Sequence, residues 1–285
     1  MILLLVFACG ASVFAADIAP FPPASSRIYA LGGPHTAYTQ DITTLAVNPA
    51  ALKTVKKQFS IGEIGAGTHG DIIALIPLIG SVASGSFEDF DSSKIADLTS
   101  GSDGKIPLGF ELRGPLSLGY MNNSLGFGFG LFDRVYFDTR FIGTALRLNA
   151  NADFLLNGGY AYRIVDKGLH ALDVGIAVKA FGRYSVGLNG SVVDLVDNSE
   201  TLTDNSPMDI ILGGGFDLGV LYHLEGFAFG LTGNDVFSRG LIQHISGTDS
   251  GSSEIGSIKP QVNLGAAYSF TPWKYASLSL MLDYR

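Results

Sequence analysis

Residues 146–164 read LRLNANADFLLNGGYAYRI. Even positions carry Leu146, Leu148, Ala150, Ala152, Phe154, Leu156, Gly158, Tyr160, Tyr162 and Ile164. Odd positions carry Arg147, Asn149, Asn151, Asp153, Leu155, Asn157, Gly159, Ala161 and Arg163. A period of two places successive side chains on opposite faces of a β-strand. One face is therefore apolar and the other mostly polar or small. The run is long for one strand, so it reads either as one strand or as two with a turn near Asn149–Asn151.

The same alternation recurs. His170, Leu172, Val174, Ile176, Val178 and Ala180 oppose Asp173, Gly175, Ala177 and Lys179. Val262, Leu264, Ala266, Tyr268 and Phe270 oppose Asn263, Gly265, Ala267 and Ser269, and Leu278, Leu280, Leu282 and Tyr284 oppose Ser277, Ser279, Met281 and Asp283. Glycine takes every second place in Gly126-Phe127-Gly128-Phe129-Gly130-Leu131. Strand candidates are 58–67, 106–121 (one or two strands), 125–134, 140–165 (one or two), 170–184, 210–224, 226–236, 260–270 and 275–285. Segments 83–104, 190–209 and 238–257 are rich in Ser, Gly, Asp and Asn and read as loops.

Composition says where such strands belong. The chain has 285 residues, 37 of them glycine, with 47% hydrophobic and only 15% charged residues. That excludes a disordered chain. The net charge of −8, without a basic run, argues against a nucleic-acid partner. After the N-terminus no uncharged apolar run reaches the ~18 residues of a spanning helix. The most apolar window, 72–79, is broken by Pro77. Membrane-like composition without membrane helices predicts an all-β fold, a transmembrane antiparallel β-barrel, because lipid tolerates only helices and closed barrels. A soluble β-sandwich is the alternative.

Residues 1–15 read as a signal peptide ending at Val13-Phe14-Ala15. The competing reading is a lipobox, Val6-Phe7-Ala8-Cys9, acylated at the chain's one cysteine. Residues 16–57 are not strand-like, and residues 58–285 hold the strands. Asp41 is placed to cap a short helix over 41–47. Asn48 precedes Pro49 and so should end one element where Pro49 starts the next. Lys53, Lys56 and Lys57 form the densest basic cluster, either a solvated helix end or a head-group contact.

Chemistry is sparse. His35, His69, His170, His223 and His244 have no metal-ligand spacing, and no nucleophile elbow occurs. The expectation is no enzyme, no cofactor and no metal. The inward polar set Arg147, Asp153, Asp173, Lys179, Arg183 and Asp217, with Asp283, carries both signs and predicts an ion-pair ladder in the lumen. One basic member would be available to a ligand carboxylate.

Residues 31–52 contain Leu31-Gly32-Gly33-Pro34-His35-Thr36 followed by Asp41 and Asn48-Pro49-Ala50-Ala51-Leu52. This resembles the start of mature FadL-like outer-membrane proteins, and 215–222, 264–268 and 282–284 resemble strands of that superfamily. The nearest branch looks like its spirochaetal members, with PorV-type secretion proteins as cousins. The resemblance implies that residues 16–57 are an N-terminal hatch, with Asn48, Pro49 and Ala50 as hatch residues, inside a barrel of about 14 strands. Nine to eleven strand candidates fall short of that, so it further implies a barrel truncated at its C-terminus; a smaller barrel is the alternative. The function it implies is binding and import of hydrophobic molecules such as long-chain fatty acids, in the bacterial outer membrane and in contact with its lipid. The alternative is a PorV-like interaction protein for exported protein cargo, without small-molecule transport. The ligand-binding residues stay unassigned.

Overall fold

The computed structural model describes residues 16–21, 25–70, 105–114, 116–142, 145–191, 207–245, 251–273 and 276–284. The signal-peptide reading of 1–15, the apolar window 72–79 and the loop call at 83–104 lie outside them. Thirteen strands form one sheet: β1 (Ala16–Asp17), β2 (Gln58–Ile61), β3 (Gly65–Gly70), β4 (Lys105–Arg113), β5 (Leu118–Asn122), β6 (Phe127–Ile142), β7 (Ala145–Lys167), β8 (His170–Ser191), β9 (Met208–Leu224), β10 (Phe227–Ile245), β11 (Ser253–Ser257), β12 (Gln261–Trp273) and β13 (Ala276–Tyr284).

From β2 to β13 the sheet is an antiparallel meander of rows, a row being one strand or two in succession, in which rows that follow each other in the chain lie side by side. Two rows at its start are interrupted in register. β4 and β5 pair with successive halves of β6, while β3 pairs with β4 and β2 with β5. The interruptions carry Gly62 (φ 62°) and Gly114 (φ 76°), left-handed conformations that glycine adopts without a Cβ penalty. Asp133 Oδ1 accepts the Leu116 amide there at 3.0 Å. Further on, β11 and β12 share one edge of β10 in the same way. Among the described residues, β13 and the β2–β3 row each keep one edge without a strand partner.

Of the two readings of 146–164, the single strand holds: β7 runs unbroken through 149–151, paired with β6 on one side and β8 on the other. The asparagines there keep the period of two, which outweighs their turn propensity. The loop call at 238–257 is also corrected. β10 continues to Ile245 and β11 covers Ser253–Ser257. A bulge after Gly233, with Asp235 at φ 54°, shifts the register and hides the alternation that resumes at Phe237. Likewise β8 runs on to Ser191 and β9 starts at Met208, which shortens the loop call at 190–209.

One end of the sheet has tight connections. Lys167 pairs with His170 around Gly168-Leu169, and Leu224 with Phe227 around Glu225-Gly226. The opposite end carries the longer connections 71–104, 192–207 and 246–252, and one short one, between the paired Ile142 and Ala145.

The two faces are inverted relative to a water-soluble sheet. Phe154, Leu156, Tyr160, Tyr162 and Ile164 on β7 are exposed, as are Ile176, Val178, Leu218, Phe229, Leu264 and Leu280 on the strands from β8 to β13. Asp153, Asn157, Asp173, Arg183 and Asp217 on the other face are buried. They are covered by residues 16–57, which hold β1, helix α1 (Ser26–Ala30), helix α2 (Thr44–Val47) and a 3-10 helix at Pro49–Lys53. Leu45, Ala50 and Leu52 of this segment pack with Met121, Leu155, Phe181 and Leu221 of the sheet, so the core lies between the segment and the inner face.

Candidate functional site

The segment 16–57 is seated by its backbone. Asp41 accepts the Thr43 amide at 2.9 Å ahead of α2. Asn48 (φ −150°, ψ 99°) then breaks the helix, as a residue before proline should, and Pro49 opens the 3-10 turn. The Asn48 carboxamide is fully buried. It accepts from the Ala50 amide at 3.1 Å and donates to the Thr36 carbonyl at 2.8 Å and the Val220 carbonyl of β9 at 3.3 Å. One side chain thus caps the 3-10 turn, ties two stretches of the segment together and fixes both to the sheet. Pro49 and Ala50 lie against Gly175 of β8 and Gly219 of β9, which are register partners. Any Cβ at Gly175 would overlap the Pro49 carbonyl carbon and the Ala50 nitrogen. Glycine is therefore required for contact between backbones, not for a turn.

A second clasp holds the stretch before α2. Asp283 of β13 accepts the Thr36 amide at 2.7 Å, and its other oxygen meets His35 Nδ1 at 2.6 Å. The residues it joins are 247 and 248 positions apart. Lys53 reaches the Ser124 carbonyl at 3.1 Å, while Lys56 and Lys57 stay exposed.

The covered face of the sheet carries three ion-pair clusters. Asp153 binds Arg183 Nε at 2.6 Å and Arg134 Nη2 at 2.7 Å. Asp153 and Arg183 are cross-strand partners. Arg183 also donates to the Ala19 carbonyl at 3.2 Å and lies 4.3 Å from the Phe21 ring centre, which extends the cluster to the N-terminal segment. In the second cluster Lys179 bridges Asp217 at 2.8 Å and Asp235 at 2.7 Å. In the third Arg163 holds the wholly buried Asp173 through two bonds of 2.7 and 3.0 Å. Arg147 lies on β7, and its side chain is outside the described residues. Lys179 and Arg183 are each occupied by carboxylates, so the arrangement does not present either as a receptor for a ligand carboxylate.

Arg134, Arg163 and Asp235, and His35 as the partner of Asp283, are absent from the polar set read from the sequence. Arg134 and His35 would need knowledge of which strands and segments adjoin. Asp235 sits in the bulge, where parity fails.

At the long-loop end of β10, His244 Nδ1 meets Asp209 at 2.7 Å and Nε2 meets Glu254 at 3.3 Å. Two carboxylate acceptors require both ring nitrogens to donate, so the hydrogen bond to Asp209, and then that to Glu254, raise the pKa above its ordinary 6.5. A raised value in the folded state stabilises fully below about 6.5 and is lost as the pH rises through the folded value. An NMR titration of His244 should give a midpoint above 6.5, and Asp209→Asn should lower it. A midpoint at or below 6.5 would mean that the bridge does not form.

Residues 159–283 match a family model described as "F plasmid transfer operon, TraF, protein". The match covers less than half of the chain and spans β7 to β13. Comparison with curated proteins and with solved structures gives no match. This finding overturns the FadL resemblance, and the assignment to fatty-acid and lipid transport that came with it. The structure shows why the resemblance misled. Asn-Pro-Ala is a local solution for capping a 3-10 turn on a buried segment, and strand alternation follows from any sheet with one apolar face.

Proposed function

We propose that the chain is an outer-membrane β-barrel protein filled by its own residues 16–57, and that it serves as a non-conducting scaffold in an apparatus of the cell envelope. The inversion of its faces carries this reading. Exposed Phe, Leu, Ile and Tyr on the outside and buried carboxylates on the inside are costly in water and favourable in a bilayer. About 10 residues of a tilted strand cross the hydrocarbon, and β7 presents Phe154 to Ile164 over such a length. Short connections at one end, and three longer ones beside one short one at the other, fit the usual loop asymmetry of such barrels. Closure of the barrel completes the backbone pairing that a bilayer demands of β13 and the β2–β3 row.

The scaffold role rests on the seating of residues 16–57. Their contacts with the inner face are backbone-to-glycine contacts and buried clasps, which suit a permanent filling better than a gate. The matched family is described as a protein of a plasmid transfer operon; with the membrane reading, that favours a part in an apparatus of the envelope. The expected result in planar bilayers is insertion of a heat-modifiable species with no steady conductance, and open conductance after deletion of residues 16–57. A chain that stays soluble and monomeric without detergent would sink the membrane reading. Steady conductance of the full chain would sink the scaffold reading alone.

A further inference from the structure

A cavity of about 500 Å³ lies between residues 16–57 and the sheet. Its sheet side carries four carboxamides, Asn157, Asn234, Gln261 and Asn263, beside the Lys179–Asp217–Asp235 cluster; its other side is apolar, with Phe21, Ile28 and Val47. Asn157 is 1% exposed, and neither its Nδ2 nor its Oδ1 has a hydrogen-bond partner. It stands directly opposite Lys179 in the register, yet the ammonium is turned to the two aspartates. Asn263, 6% exposed, donates to Thr232 Oγ1 at 3.4 Å and leaves its Oδ1 unpartnered. A buried amide left without a partner keeps its full desolvation penalty, so these groups call for an occupant.

We infer that this cavity binds a neutral, polyhydroxylated solute of mono- to disaccharide size. The chemistry selects that class. One lysine between two carboxylates leaves a surplus negative charge, which repels carboxylate and phosphate ligands. Asn157 offers a free donor and a free acceptor side by side, and adjacent hydroxyls on one ring supply the complementary acceptor and donor. The apolar side accommodates the C–H face of such a ring. The volume falls within the usual range of small-molecule sites, about 300–1,000 Å³. This assignment does not rest on the membrane reading, since the cavity lies between residues 16–57 and the covered face of the sheet.

The test is calorimetric titration of the folded full-length chain, in a sugar-free detergent, with glucose and with maltose. Saturable binding of at least one sugar is expected, weakened about tenfold or more by Asn157→Leu, the loss of one or two hydrogen bonds. Asn263→Leu, on a different strand, should weaken it as well and serves if the first variant fails to fold. Gly158→Val, on the outer face of β7, should leave it unchanged. Absence of saturable binding by either sugar, or equal affinity in both leucine variants, would overturn the inference. So would saturable binding of acetate or choline in place of the sugars.

Discussion

Gly175→Val should unseat residues 36–55 from the sheet while leaving the strands paired. Valine favours strands, and Gly175 has no left-handed φ that would strain it. The new side chain would instead meet the Pro49 carbonyl carbon and the Ala50 nitrogen. These atoms cannot move aside independently. They belong to the turn that Asn48 caps, and Asn48 is itself tied to Thr36 and Val220. Overpacking against rotatable side chains costs about 1–3 kcal/mol; against a fixed backbone the cost should reach or exceed the top of that range. The expected observation is protease cleavage within 36–55 at concentrations that leave the wild-type segment intact, with heat-modifiability retained. Gly158→Val is the matched control, because a Cβ there meets nothing within 4 Å. Equal protection in both variants would show that the segment is not held through this contact. If the scaffold reading is right, the Gly175 variant should also conduct where the wild type does not.

The period of two assigns the outward residues of β7 from Phe154 to Ile164, because burial on one face there follows parity. The inner face was less legible. Asp153, Asp173, Lys179, Arg183 and Asp217 could be placed on it by parity, but their partners depend on register. Asp153 finds Arg183 because 153 faces 183 across the β7–β8 pair, and nothing local in either strand announces that. Asp235 escaped because one irregular step shifts the register beyond Gly233. The local turn around Asn48 was readable from Asn-Pro, since both the residue before proline and the proline are conformationally restricted. What Asn48 clasps, a carbonyl 12 residues back and another 172 residues on, was not. The alternation puts Gly175 on the inner face of β8 without giving it, or Gly219 of β9, a reason to be glycine. Their role appears only when the segment is laid on the sheet, where the missing side chains admit its backbone.

Removing the carboxylate from the first cluster should cost more than any other single polar change. Asp153→Ala leaves Arg134 and Arg183 facing each other across a buried space, with side chains 13% and 6% exposed. Breaking a buried pair in this way typically costs about 3–5 kcal/mol, because the remaining charge stays desolvated without compensation. Two arginines share the deficit here, although Arg134 also lies 3.8 Å from Glu111, so the upper part of that range is expected for the equilibrium stability in detergent. Asp153→Asn should cost less, since it keeps an acceptor for one guanidinium. The decisive comparison is with Asp153→Ala/Arg183→Ala. If the penalty is an uncompensated charge, deleting Arg183 as well should recover stability, and the double variant should be the more stable of the two. If Arg183 mainly anchors the N-terminal segment through the Ala19 carbonyl and the Phe21 ring, its deletion should add a further loss, and cleavage near residues 16–21 should rise. The sign of that single difference separates a cluster that neutralises itself from one that holds the segment in place.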